Sequence, residues 1–299
     1  MTLLAVGSIA LDSVETPHGA ANEVLGGSAT YFSYAASFFT PVRLVGVVGR
    51  DFPPEHRELL ETRDIDLAGL EMVDGKTFRW RGSYEGSMNA ATTLDVQLNV
   101  FDEFEPNVPA QFRDSKFVFL ANAGPRIQKL VLEQVDAPEL TVCDTMNLYI
   151  ENERDGLIEL LGMVDGLVIN DDEAVQLTRK PNLIDAGRKI LGLGPKFVVI
   201  KKGEHGSMLM DGESIFCIPA FPLDTVVDPT GAGDSFAGGM MGYLAGEGAV
   251  DAEALRRALA FGTVVASFNV EGFSLTKFLS LNRARINGRF AEFVEITRF

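Results

Sequence analysis

Residues 225–244 read TVVDPTGAGDSFAGGMMGYL and give the clearest indication of the fold and of the chemistry. An apolar strand end at residues 226–227 leads into a glycine-containing turn, and an apolar helix follows at once. Glycine lets the backbone approach a ligand closely. The free amides and the positive dipole end of a helix N-terminus attract anions. We therefore predict an anion site formed by the amides of Gly231, Ala232 and Gly233.

A carboxylate, Asp234, stands in the first turn of the same predicted helix. Acidic residues are common there because they complement the helix dipole, so position alone does not assign a role. A base beside an anion site is, however, what transfer of a phosphoryl group to a hydroxyl requires. We interpret Asp234 as a candidate general base.

The longer string DPTGAGDSFAGG, residues 228–239, resembles the second signature of the PfkB (ribokinase-like) family of sugar and nucleoside kinases. In that family the final Asp of the signature is the catalytic base. The resemblance therefore implies an ATP-dependent kinase in which Asp234 activates the acceptor hydroxyl.

Composition limits the classes of partner. The 299 residues carry 26 basic and 42 acidic side chains, a formal net charge of −16. A chain this acidic binds nucleic acid or an anionic membrane poorly. To bind a polyphosphate it needs local groups such as backbone amides, a metal ion or a few basic side chains. Two cysteines, Cys143 and Cys217, favour a reducing cytoplasm. We expect no signal peptide and no membrane span.

Apolar runs alternate with helical patterns along most of the chain, which favours a parallel α/β sheet. The predicted strands are residues 3–7, 42–49, 116–120, 140–143, 166–169 and 196–201. Residues 77–84 and 92–100 instead alternate with period two and have no helix between them. With the resemblance, this predicts one ribokinase-like domain over residues 1–299, a three-layer αβα fold. A small β-sheet lid is inserted at about residues 13–24 and 73–101.

The resemblance places the acceptor site on the N-terminal half. Asp12 ends a G-x-x-x-x-D pattern, the family's grip on substrate hydroxyls, and Gly26-Gly27 matches the family's first signature. Tyr31 stands where many members have Asn, a departure that leaves the substrate open. Asp144 and Asn147, at the ends of DTMN, resemble the family's D-x-N segment, which lines the site.

The donor site falls on the C-terminal half. By resemblance, Gly203 and Gly206 belong to the loop that covers the nucleotide, while Lys201, Asn170 and Thr230 bind ATP. A hydrogen-bonded turn explains the two glycines equally well without a ligand.

Two metal sites are implied as well. Asn170 and Glu173 match the family's N-x-x-E motif, which belongs to the Mg²⁺ and phosphate environment; Mg²⁺ prefers oxygen ligands and retains water, so contact through water fits. An N-cap with acids in the first helical turn explains the same residues structurally. A monovalent cation such as K⁺ is implied near Asp228 and residues 270–274.

The acceptor remains open between a sugar, the first interpretation, and a nucleoside. Phe78, Trp80 and Tyr84 in the predicted lid favour the nucleoside if they stack on a base. A nucleotide- or sugar-sensing protein without turnover is the non-enzyme alternative, and an intact GAGD argues against it. A homodimer through the lid is a further expectation from the resemblance.

Overall fold

The computed structural model describes residues 1–86 and 88–298, and its larger sheet has nine strands. They are β1 (Leu3–Val6), β4 (Val42–Gly49), β5 (Ile65–Val73), β8 (Phe117–Leu120), β9 (Leu140–Asp144), β10 (Gly166–Asn170), β11 (Phe197–Lys201), β12 (Ser207–Asp211) and β13 (Ile215–Ile218). Their order is β13-β12-β11-β10-β9-β8-β1-β4-β5. All pairs from β5 to β11 are parallel, and β12 and β13 add an antiparallel hairpin.

Helices cover both faces of this sheet. They are α1 (Ser28–Ala36), α2 (Pro54–Glu61), α3 (Pro125–Leu132), α4 (Asn147–Asn152), α5 (Arg154–Leu161), α6 (Asp171–Thr178), α7 (Leu183–Leu191), α8 (Ala232–Glu247), α9 (Ala252–Asn269) and α10 (Arg283–Ile296). Leu3 and Ala5 of β1 pack on the side of α1 and α8–α10, while Leu4 and Val6 pack on the side of α3–α7. Burial on both faces explains why the parallel strands read as continuous apolar runs.

A second, four-stranded sheet has the order β3-β2-β6-β7. Its strands are β2 (Ala10–Thr16), β3 (Gly19–Gly26), β6 (Phe78–Tyr84) and β7 (Ala91–Gln97). β2 pairs with β6 in parallel, and the other two pairs are antiparallel. The predicted fold class, a mostly parallel sheet between helical layers with a small additional sheet, is confirmed.

Close helix contacts hold the N-terminus of α8 in place. An added Cβ would lie 2.3 Å from Phe32 O at Gly238 and 2.8 Å from Ala36 Cα at Gly242. These distances are too short for any side chain, so the two glycines let α8 lie directly against α1. The anion-site helix is thereby fixed to the element that follows the Gly26-Gly27 turn.

Several local expectations from the sequence are wrong. Residues 15–23 form most of the β2–β3 hairpin although they are polar, because a sheet edge open to solvent tolerates polar side chains on both faces. Residues 226–227 are not a strand, because the amides of Val227 and Asp228 donate to Val270 O (2.7 and 3.2 Å), in the turn after α9. The chain also forms β5, which the sequence did not suggest.

Turns precede the C-terminal helix, and not all of its arginines are exposed to solvent. Residues 275–281 form turns, and α10 begins at Arg283 after Asn282, whose side chain caps Arg285 N at 3.0 Å. Arg289 is 17% exposed, pairs with Glu271 (2.8 Å) and stacks on Phe268. Residues 147–161 do not form one continuous helix, since Glu153 has non-helical dihedral angles and separates α4 from α5.

Candidate active site

The anion turn is built at the start of α8. Gly231 has φ +73°, a left-handed conformation that glycine adopts without strain. The amide of Ala232 donates to Pro229 O at 3.0 Å. Within residues 1–86 and 88–298, the amides of Gly231 and Gly233 donate to no other backbone group. Those two amides are therefore the free donors of the predicted anion site.

Lys201 brings a positive charge to this turn. A Cβ added at Gly233 would lie 2.7 Å from Lys201 Nζ, so the ammonium group lies against the glycine backbone. Lys201 ends β11, and it pairs in register with Asn170, which ends β10. Parallel strands present their carboxyl ends at one edge, the usual ligand-binding edge of an open α/β sheet.

Three carboxyl groups lie near enough to this ammonium group for its charge to act on them: Asp144, Glu173 and Asp234. Burial raises the pKa of each, and the charge of Lys201 acts in the opposite direction on all three. Asp144 is 5% exposed, and its Oδ1 is buried without a hydrogen-bond partner in the described part of the chain. The site therefore concentrates negative charge around one cation.

Asp234 lies in the first turn of α8, directly after Gly233. Burial raises the pKa of its carboxyl, and the nearby Lys201 ammonium moderates that rise. A carboxylate with a raised pKa accepts a proton more readily than an exposed one. The predicted base thus has both the place and the proton affinity that the role needs.

Asp12 packs into the two-glycine turn on the acceptor side. A Cβ at Gly26 would lie 1.9 Å from Asp12 Oδ2, and Gly27 has φ +93° with Ser8 O 2.6 Å from its missing Cβ. The Gly27 amide donates to Asp12 Oδ2 at 3.4 Å. Burial raises the pKa of Asp12 to about 7; the Gly27 amide opposes this, and the charges of Asp234 and Asp228 add to it.

Tyr31 lies beneath the anion turn. Its ring atoms would be 2.4–2.5 Å from a Cβ at Gly231, and the residue is 2% exposed. Its hydroxyl is buried with no partner among the described residues, and burial with the nearby Asp12 carboxylate raises its pKa well above 10. Tyr31 therefore packs underneath the glycine backbone. The sequence alone did not indicate this contact.

A hydrogen-bonded loop precedes the turn. The Thr230 amide donates to Asp228 Oδ1 at 2.9 Å, and Asn269 Nδ2 donates to Thr230 O at 2.8 Å. The Thr230 hydroxyl donates to the Tyr84 hydroxyl of β6 at 3.4 Å. Burial raises the pKa of Tyr84 to about 12, so it stays protonated. The sequence did not lead us to predict a role for Asn269 or the contact between Thr230 and Tyr84. The available signal for Asn269 was a polar residue at the end of the apolar helix α9.

Asn170 and Glu173 form a capping box at the start of α6. Glu173 N donates to Asn170 Oδ1 (2.8 Å), and Asn170 N donates to Glu173 Oε2 (3.0 Å). The structural explanation of this motif is thus realised. It leaves Glu173 close enough to Lys201 and Asp234 for their charges to act on it.

The remaining predicted residues lie at the margins. Gly203 and Gly206 both have positive φ, in the turn between β11 and β12. Asn89, from the loop after β6, donates to Glu204 Oε1 at 2.9 Å, so the small sheet reaches this turn. Asn147 is exposed, and its Oδ1 accepts from Leu148 N at 2.9 Å. Asp144 occupies the buried place in that segment.

The described residues offer oxygen ligands for a cation, but they do not form a complete set of protein ligands around one. Among residues 1–86 and 88–298, no group of three or more His, Cys, Asp or Glu side chains could hold a metal ion. The unpartnered Asp144 Oδ1 and the second carboxylate oxygen of Glu173 fit a hard cation such as Mg²⁺, which commonly binds one or two carboxylates together with substrate phosphates. In the same part of the chain, no helix is both long and apolar enough to cross a bilayer.

Comparisons with known proteins agree with this geometry. The chain is 32% identical over 255 residues to the cytidine kinase of Thermococcus kodakarensis, covering 82% of this chain and 90% of that protein. It is 29% identical to the nucleoside kinase of Methanothermobacter thermautotrophicus, over 76% and 72% of the two chains.

Solved structures share the fold. A Burkholderia thailandensis nucleoside kinase in complex with inosine superposes with TM-score 0.79 at 20% identity, covering 98% of this chain and 99% of the other. A putative ribokinase II from E. coli in complex with ATP and Mg²⁺ gives TM-score 0.79 at 17% identity, over 97% and 99%.

The model of the pfkB family of carbohydrate kinases matches residues 4–280, nearly the whole chain. The expected family and the ribokinase-like fold are therefore confirmed. The chain belongs to the PfkB family of carbohydrate kinases and is a phosphotransferase that acts on an alcohol group.

Proposed function

We propose that the protein transfers the γ-phosphoryl group of ATP to a hydroxyl group of a sugar or nucleoside bound between Asp12 and Asp234. The observation that carries this proposal is the anion turn, where free glycine amides, the Lys201 ammonium group and the Asp234 carboxylate meet. These are the three elements that phosphoryl transfer to an alcohol requires: donors for phosphoryl oxygens, a positive charge and a base.

In this mechanism the oxygen of the acceptor hydroxyl attacks the γ-phosphorus while Asp234 accepts the hydroxyl proton. The bond between the γ-phosphorus and the β,γ-bridging oxygen breaks, and ADP leaves. The amides of Gly231 and Gly233 donate to the phosphoryl oxygens, on which charge is spread in the transition state. Lys201 adds a point charge at the same place, which suits a polyphosphate that must enter an acidic protein. Asp12, in its ionised form, accepts hydrogen bonds from neighbouring hydroxyls and orients the acceptor.

Nucleotide and cation sites follow from the same arrangement. The Gly203–Gly206 turn, Asn170 and Thr230 would contact ATP, and Glu173 and Asp144 would hold Mg²⁺ directly or through water. Bound Mg²⁺ would supply charge neutralisation of the phosphates. Asp228 would contribute to a monovalent-cation site near residues 270–274, where its amide already donates to Val270 O.

Closure of the small sheet would keep water from the γ-phosphate. Tyr84 and Asn89, on or next to β6, already reach Thr230 and Glu204. The small sheet thus touches both the anion turn and the predicted nucleotide turn, as a lid would.

A panel assay tests this proposal. ADP formation with Mg·ATP is followed across pentoses, hexoses, inositols and nucleosides, beside wild-type protein without acceptor. We expect one class of acceptor to stimulate ADP formation and to appear as a phosphorylated product by mass spectrometry. A protein that binds ATP but forms no phosphorylated product from any acceptor would instead fit the sensing alternative.

A further inference from the structure

Trp80, the only tryptophan of the chain, lies on the face of the small sheet that looks toward the anion turn. β2 and β6 are parallel neighbours, and Trp80 pairs in register with Asp12. Side chains two residues apart on a strand share a face. Trp80 therefore shares its face with Tyr84, whose hydroxyl reaches Thr230 next to the anion turn. The side chains of Trp80 and Asp12 therefore project from adjacent positions on the same face of the small sheet.

The indole lies along this face of the small sheet, over Gly82. A Cβ at Gly82 would be 2.3 Å from Trp80 Cη2 and Cζ2, so the six-membered ring occupies the space of the missing side chain. Trp80 Nε1 donates to Thr93 Oγ1 of β7 at 3.3 Å. Contact with Gly82 on one side and a hydrogen bond at the edge fix the ring. The residue remains partly exposed, so part of the side chain is available for a ligand.

The surroundings of the ring are apolar. Val14, Tyr84 and Met88 form a buried cluster, and Trp80 packs against it. Val226, two residues before Asp228, also packs against this cluster. This contact connects the face of the small sheet to the segment that leads into the anion turn. A free sugar carries hydroxyl groups around its ring and offers an apolar surface only a small C–H face. A ligand with hydroxyls at one end and a flat apolar ring at the other fits better.

We propose that the acceptor is a nucleoside whose base stacks on the Trp80 indole while Asp12 holds its ribose hydroxyls. Neighbouring strands are about 4.8 Å apart, so the two side chains bind adjacent parts of one small molecule. Every base has a π-face, and stacking on an aromatic side chain is favourable for all of them. This inference rests on the proposed kinase function and selects its acceptor class.

Trp80 offers a direct readout, because all indole fluorescence of the protein comes from this residue. Titration of the wild-type protein with cytidine, uridine, adenosine or inosine, without ATP, should change the emission saturably for at least one of them. Ribose at the same concentrations should leave the emission unchanged. Emission that responds to none of the nucleosides, or that changes only with protein concentration as at a dimer seam, would overturn the inference.

Kinetics give a second, independent measurement. Trp80→Leu should raise KM for the nucleoside about 5- to 150-fold, the range that loss of one base–aromatic stack gives. Trp80→Phe, which keeps a ring, should lose less. The matched control is Arg81→Ala: Arg81 is on the opposite face of β6, where it pairs with Glu15, and its replacement should leave the nucleoside KM unchanged. Equal effects of Trp80→Leu and Arg81→Ala would contradict the stacking role.

The two failures can be told apart. Phosphorylation of a sugar with no response to nucleosides would reject the base-stacking inference and retain the kinase function. A nucleoside that changes the emission without being phosphorylated would retain the binding inference and reject the function.

Discussion

Gly231→Ala probes the anion turn and its support by Tyr31. Alanine at φ +73° costs about 1–2 kcal/mol in the left-handed conformation. The new methyl group would lie 2.4–2.5 Å from the Tyr31 ring, and such overpacking costs about 1–3 kcal/mol. Lower chain entropy in the unfolded state returns about 0.4–1 kcal/mol. We therefore expect the free energy of unfolding to fall by about 1–5 kcal/mol, since the buried ring has little room to move.

Urea unfolding followed by circular dichroism measures this change. A double-mutant cycle with Tyr31→Leu separates the two contributions, because leucine removes the ring that the methyl group meets. In the Tyr31→Leu background the cost of Gly231→Ala should approach that of the backbone strain alone, which gives a coupling energy of about 1 kcal/mol or more. A loss below about 0.5 kcal/mol in the wild-type background, as at an unconstrained surface site, would refute the reasoning.

Four further outcomes follow. Because burial raises the pKa of Asp12 to about 7, protonation of Asp12 should lower kcat/KM for the acceptor about tenfold per pH unit below 7, with a plateau above it; Asp12→Asn should remove the contribution that titrates near pH 7 and leave that of Asp234. The same raised pKa means that burial of the ionised carboxyl destabilises the fold as pH rises from about 4 to 7, so Asp12→Asn should be more stable than wild type at pH 8 but not at pH 4. Gly242→Ala should lower the thermal midpoint because its Cβ would meet α1, whereas Gly288→Ala in α10, with no atom within 4 Å of its Cβ, should not; equal midpoints would contradict the close packing. Asn170→Ala should cost about 1 kcal/mol of stability by urea unfolding and Asn170→Ser much less, if the capping box operates as seen.

The central parallel sheet was predictable because its strands are buried on both faces. β1, β4 and β8–β11 all appear as apolar runs that end in polar or glycine residues, and the structure contains each of them within a few residues. The anion turn was predictable for a different reason: its geometry is local, and DPTGAGD encodes the turn, the helix start and the carboxylate together.

The parts that failed depend on tertiary partners. The β2–β3 hairpin has polar side chains because it lies at a sheet edge, so period and hydropathy do not reveal it. Which polar residue after β9 turns inward is also not local: Asp144 is buried beside Lys201, while Asn147 is exposed. Tyr31 lies beneath Gly231, which is far away along the chain, a contact that only the packing of α1 against α8 produces.

Asp234→Asn, measured for both ATP binding and a single turnover, tests the central claim most directly. Asparagine keeps the size of the side chain and cannot accept the hydroxyl proton, so the dissociation constant for ATP should change little. The rate of phosphoryl transfer to the acceptor identified in the panel should fall about 10²–10⁴-fold, the scale of a lost general base. A rate within a few fold of wild type would contradict the assignment of Asp234 as the base.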